Sequence, residues 1–133
     1  MVQGNTNTCK DQLLFSEEFA KRRQSLRQLD KWDAMIQFPG ETDYPFNVYI
    51  PDNTIRFEDG SLVITPKLTE SQYAEGFLDL GDRCTGLAGT PECRREVAGA
   101  QTIPPVTTAK ITTRRSFNFM FGKCAQSYTL EAG

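Results

Sequence analysis

The chain has 133 residues, of which 38% are hydrophobic and 24% charged, enough for one soluble domain built around one core. Its formal net charge of −2 gives no global field toward nucleic acid or anionic membranes, and no run of about 18 apolar residues is present to span a bilayer. There is no histidine, which excludes Ser-His-Asp and Cys-His catalysis and every zinc site that needs imidazole.

The first twelve residues, "MVQGNTNTCKDQ", are polar and are expected to form a flexible segment. They hold no apolar stretch of the kind a signal peptide needs. Residues 13–19, "LLFSEEF", read as a short strand. Residues 17–32 have helical character, with Leu26 and Leu29 on one side and Ser16 or Ser25 as caps. The basic run Lys21-Arg22-Arg23 with Arg27 reads as a solvated face.

Residues 41–46, "ETDYPF", come close to Glu-x-Asp-x-x-Glu, a glycosidase signature, but Phe46 stands at the last position and cannot act as an acid. Pro45 lacks an N–H and disfavours an interior strand there. The stretch reads as a loop leading into "FNVYIPDN".

"NTIRFEDGSLVIT" places Asp59-Gly60 between two alternating runs, a strong hairpin signal. A two-residue turn pairs Phe57 with Leu62 and Ile55 with Ile64, putting four apolar side chains on one face. Arg56, Glu58 and Ser61 fall on the other, with Val63 the apolar exception.

Residues 69–104 are rich in Gly, Pro, Asp and Thr and read as a long connection with little periodicity. Within it, Cys84 and Cys93 flank "TGLAGTPE", a loop that a disulfide would close at a gain of about 2–3 kcal/mol. Such a bridge implies an oxidising compartment; the alternative is two thiols in a reducing one. The other cysteines are Cys9 and Cys124, and no C-x-x-C pair occurs. An oxidising compartment without a leader in these residues implies either a signal upstream in a longer precursor or a chain that is not exported.

Two more strands are predicted, at 107–113 ("TTAKITT") and 116–122 ("SFNFMFG"). In the second, Phe117, Phe119 and Phe121 point one way and read as core, with a sugar-stacking platform as the sharper alternative. Arg114 and Arg115, between these strands, read as solvated. The tail 124–133 has no recognisable period. Short strands and long loops, with one helix at most, indicate an all-β sandwich.

The segments "DKWDAMIQFPGETDYPFNVYIPDN", "FEDGSLVITPKL", "LDLGDRCTG" and "VTTAKITTRRSFNFMFGK" resemble, in order, the start of a glycoside hydrolase family 16 domain. More narrowly, they resemble the glucanase-like domain of the arthropod β-1,3-glucan recognition proteins, over about Cys9 to Lys123. The resemblance implies a concanavalin-like β-jelly-roll whose concave face holds β-1,3-glucan or a related microbial polysaccharide. It also implies secretion and a role in innate immune recognition. On this reading Asp43, Tyr44, Asn47 and Tyr49 match the segment lining one end of the glucan cleft, with Pro45 where the enzymes tend to carry an acidic residue.

The family's catalytic Glu-x-Asp-x-x-Glu strand lies well after its "FGK" segment, and "CAQSYTLEAG" stands in place of the continuation. Residues 13–123 are therefore expected to be the N-terminal half of the domain, an incomplete jelly roll, and 124–133 a tail outside the family pattern. No catalytic residue, cofactor or metal cluster is read from the chain, although family 16 enzymes often carry a calcium away from the active site. The expected function is glucan binding without catalysis. The alternatives are an endo-β-1,3-glucanase by family membership, or a truncated product without function.

Overall fold

The computed structural model describes residues 12–19, 30–40, 46–73, 76–97, 103–117, 124 and 126–127. It divides into two units, residues 17–114 and residues 1–16 with 115–133. In the smaller unit, Phe15 packs edge-on against Phe117 with ring centroids 5.5 Å apart, and the Arg115 guanidinium lies 5.7 Å from the Phe117 ring. The Cys124 thiol is exposed and unbridged. Phe119 and Phe121, the rest of the phenylalanine stripe, lie outside the described residues, as does most of the strand expected at 116–122.

The larger unit is all-β, with its strands in several small sheets, in keeping with part of a sandwich. β1 (Trp32–Met35) pairs antiparallel with β9 (Lys110–Thr113), aligning Trp32 with Thr113 and Met35 with Lys110. β2 (Asn47–Tyr49) runs parallel to β8 (Val106–Thr108), which pairs antiparallel on its other side with β5 (Lys67–Leu68).

β3 (Ile55–Glu58) and β4 (Ser61–Ile64) form the hairpin in the expected register: Ile55 opposite Ile64, Phe57 opposite Leu62. Asp59 and Gly60 both take positive φ, +46° and +75°, as the primed two-residue turns require. Val63, the apolar exception, lies half-buried opposite Arg56. Phe19 packs against both Phe57 of this hairpin (6.2 Å between centroids) and Trp32 of β1 (6.1 Å).

The core gathers Phe38, Val48, Ile50, Leu78 and Leu80, with Ile36, Tyr73, Cys84 and Ile103 packed around it. Leu78 comes from β6 (Phe77–Asp79), which pairs antiparallel with β7 (Arg94–Glu96). The connection expected at 69–104 thus contributes a ladder and part of the core. Arg95 of β7 lays its guanidinium 4.6 Å from the Phe38 ring and donates to the Pro39 and Pro91 carbonyls. Burial there pulls its pKa below the usual arginine value.

Three expectations are corrected. Residues 13–19 carry no strand; at their end Phe19 takes a positive φ of 47° and its N–H donates to Glu17 Oε1, a local turn that breaks an extended run. Trp32, the last residue of the expected helix, opens β1 instead, because its neighbours align with β9; residues 20–29 of that helix, the basic run included, lie outside the described residues. The single strand expected at 107–113 is two strands. The chain leaves the β2–β8–β5 sheet at Ala109 and joins β1, a change of sheet of the kind that makes corners in β-sandwiches.

Candidate functional site

Cys84 and Cys93 are joined by a disulfide across nine positions. The bridged loop is tied down at both ends. The Phe38 N–H donates to the Glu92 carbonyl (2.8 Å), and the Thr85 N–H donates to the Ile36 carbonyl (2.8 Å). Inside the loop, Glu92 Oε2 accepts from the Leu87 N–H at 2.7 Å. A methyl group at Gly86 would meet Glu92 Cβ at 2.8 Å, so the tight approach of the two loop arms requires glycine there.

Of the four residues expected to line a glucan cleft, Asn47 and Tyr49 are both on β2. Asp43 and Tyr44 lie outside the described residues. Strand alternation separates β2 into two faces. Val48 is fully buried in the core, while Asn47 and Tyr49 share the opposite, half-buried face. The ladder adds Val106 beside Asn47 and Thr108 beside Tyr49 on that same face. Phe46, next to Asn47, is 79% exposed, and Leu68 of β5, opposite Val106, is 56% exposed.

Lys110 comes from β9, past the corner at Ala109, and places its Nζ over the Tyr49 ring, 5.2 Å from the centroid, which leaves the other ring face for stacking. Gln37 forms an isolated antiparallel bridge with Tyr49 on the edge of β2 away from β8. The face therefore holds an aromatic ring with an ammonium over it, flanked by an amide, a hydroxyl and the exposed Leu68 side chain. Such a surface can stack on the apolar face of a sugar and hydrogen-bond its hydroxyls. It offers no pair of carboxylates for acid–base chemistry among the described residues.

Thr108 and Lys110 lie two apart in "TTAKI", so alternation alone assigns them a common side. Gln37 carries no comparable signal, because only the fold brings residue 37 beside residue 49.

A second polar cluster lies near the turn after β2. Arg83 makes a two-pronged pair with Asp52, at 2.7 and 2.8 Å, and the hydrogen bond to Asp52 raises its pKa. Tyr73 nearby has its phenol pKa raised, first by burial and then by Asp52, with Arg83 opposing. Arg114 is likewise engaged, donating to Asp33 at 2.7 Å. Among the described residues no three metal-ligating side chains cluster, and no helix is long and apolar enough to cross a membrane.

Among curated proteins, the chain is 56% identical over 119 residues to beta-1,3-glucan-binding protein 2 of Manduca sexta, covering 86% of this chain and 24% of that protein. It is 45% identical over 119 residues to beta-1,3-glucan-binding protein 1 of Galleria mellonella, with 86% of this chain and 24% of the relative covered. It is 35% identical over 130 residues to Gram-negative bacteria-binding protein 3 of Drosophila melanogaster, covering 92% and 25%. No family model matches, and no solved structure matches. The chain spans about a quarter of the length of these relatives, and over most of its own length it is similar to the β-1,3-glucan-binding and Gram-negative bacteria-binding proteins.

Proposed function

We infer that this chain is part of a secreted pattern-recognition protein of innate immunity, related to glycoside hydrolase family 16. It binds β-1,3-glucan or a related microbial polysaccharide, and the 133 residues themselves are not expected to cleave it. Asn47 and Tyr49 supply the contacts on β2, and Asp43 and Tyr44 are further candidate contacts from the same sequence segment. Residues 13–123 correspond to the N-terminal half of a glucanase-like domain.

The supporting observation is a coincidence of two facts. The relative that is 56% identical carries β-1,3-glucan binding in its name, and the segment expected to line a cleft presents Asn47 and Tyr49 together on the face of β2 turned away from the core. The expectation that these residues alone do not cleave glucan rests on chemistry. A retaining glycosidase needs two carboxyl groups about 5–5.5 Å apart, one to protonate the leaving oxygen and one to attack. These 133 residues contain no Glu-x-Asp-x-x-Glu strand to supply them.

Sedimentation with curdlan tests the binding. The wild-type chain is expected in the pellet, and Tyr49→Ala and Asn47→Ala are expected to be depleted from it. Equal sedimentation of all three places the site elsewhere. Laminarin incubated with the pure chain is expected to release no reducing ends above a blank.

A further inference from the structure

Tyr49 sits in the middle of a row that crosses the strands. On one side its N–H and carbonyl exchange hydrogen bonds with those of Gln37, at 3.0 and 3.1 Å. On the other it pairs with Thr108 of β8. Residues directly opposite in a ladder project to the same face, about 5 Å apart. The row therefore reads amide, aromatic ring, hydroxyl. A β-linked glucose stacked on the phenol ring carries its hydroxyls equatorially around its rim. The amide on one flank and the hydroxyl on the other are groups that such hydroxyls could bond.

Gln37 is held in position. The Thr85 hydroxyl accepts from the Ile36 N–H at 2.9 Å and has its single proton within reach of two acceptors, Gln37 Oε1 at 3.1 Å and the Ile36 carbonyl at 3.2 Å. Thr85 directly follows Cys84, so it stands at the root of the disulfide loop. The far end of that loop grips Phe38 through the Glu92 carbonyl. The backbone of Ile36–Phe38 is clamped at both ends, and the Thr85 hydroxyl favours one position of the Gln37 amide before any ligand arrives. Ordering a side chain in advance removes that cost from binding.

We propose that Gln37 is a sugar-contacting residue of the β2 face, positioned by Thr85, so that the Cys84–Cys93 loop supports recognition of a β-linked glucose chain. This rests on the reading of Asn47 and Tyr49 as glucan contacts. Thr85 is a positioning residue; Gln37 touches the ligand.

The test is titration of the 133-residue chain with laminarihexaose, followed by nuclear magnetic resonance at the Gln37 side-chain amide and the Tyr49 ring. Both sets of signals are expected to shift together. Gln37→Ala and Thr85→Val are each expected to weaken binding about fivefold, the scale of one net hydrogen bond. Thr85→Ser, which keeps the hydroxyl, is expected to bind like wild type. Thermal melts accompany each variant, and Gln37→Ala, at a half-buried position, stands in if Thr85→Val does not fold. Shifts at Tyr49 with an unmoved Gln37 amide, or equal losses in Thr85→Val and Thr85→Ser, overturn the role of Gln37 and leave the β2 reading intact. No shift at Tyr49, Asn47 or Gln37 overturns both.

Discussion

The β3–β4 hairpin and the β6–β7 pair are both short antiparallel ladders, and they are held by different means. In the hairpin, register is set within ten residues by a turn at Asp59-Gly60 whose φ values of +46° and +75° match the twist of the strands. In the β6–β7 pair, residues 80–93 intervene, and the disulfide lies inside that interval. The ladder continues past its strands through Leu80 N–H to the Cys93 carbonyl and Val97 N–H to the Gly76 carbonyl. One ladder depends on local backbone geometry, the other on a covalent clamp that removes loop entropy from the unfolded chain.

Removing the clamp separates them most sharply. Replacing Cys84 and Cys93 together by alanine is expected to cost about 2–3 kcal/mol in urea unfolding. Hydrogen exchange is expected to quicken in β6 and β7 well before β3 and β4. Equal loss of protection in both ladders would mean that the disulfide acts globally.

Gly86→Ala attacks the same clamp without touching sulfur. Its new methyl group would meet Glu92 Cβ at 2.8 Å and Gln37 Cβ at 3.4 Å. Overpacking of this kind costs about 1–3 kcal/mol, and thermal melts read it directly. Gly60→Ala is the counterpart in the hairpin. Nothing lies within 4 Å of the added methyl, but φ of +75° strains any L side chain there. The expected cost is about 1–2 kcal/mol, with faster exchange confined to β3 and β4.

Much of this contrast was legible in advance. Asp59-Gly60 and the alternation around it predict each apolar pair of the hairpin, because the information lies in adjacent residues. The disulfide was legible from "CTGLAGTPEC". The ladder it supports was not, because "FLD" and "RRE" are too short and polar to show a period. The division of 107–113 at Ala109 also left no mark, since neither glycine nor proline announces the change of sheet. Asn47 and Tyr49 could be read as candidates from their segment. The flanking Gln37 and Thr85 could not, because their approach to Tyr49 and to one another depends on contacts remote in sequence.

The smallest effects concern the cluster after β2, which belongs to neither ladder. Asp52→Asn removes a two-pronged but solvent-exposed pair with Arg83, and the expected cost is about 1 kcal/mol or less. Tyr73 adds a pH dependence. Its folded pKa is raised above the ordinary 10.0, so its contribution is complete below pH 10.0 and is lost as pH rises through the folded value. Stability is expected to fall in alkaline urea titrations, and Tyr73→Phe is expected to flatten part of that fall.

The most direct test of the central claim, that the outer face of β2 binds glucan, is the affinity of wild type and Tyr49→Ala for laminarihexaose in one titration series. A face of this size, with one stacked ring and a few hydrogen bonds, is expected to give a Kd of about 1 mM, or roughly −4 kcal/mol. Tyr49→Ala is expected to weaken it about tenfold, near the upper end of what an aromatic contact contributes, about 1.5 kcal/mol. An unchanged affinity in Tyr49→Ala, with ligand-induced shifts centred on Phe117 instead, would contradict the account.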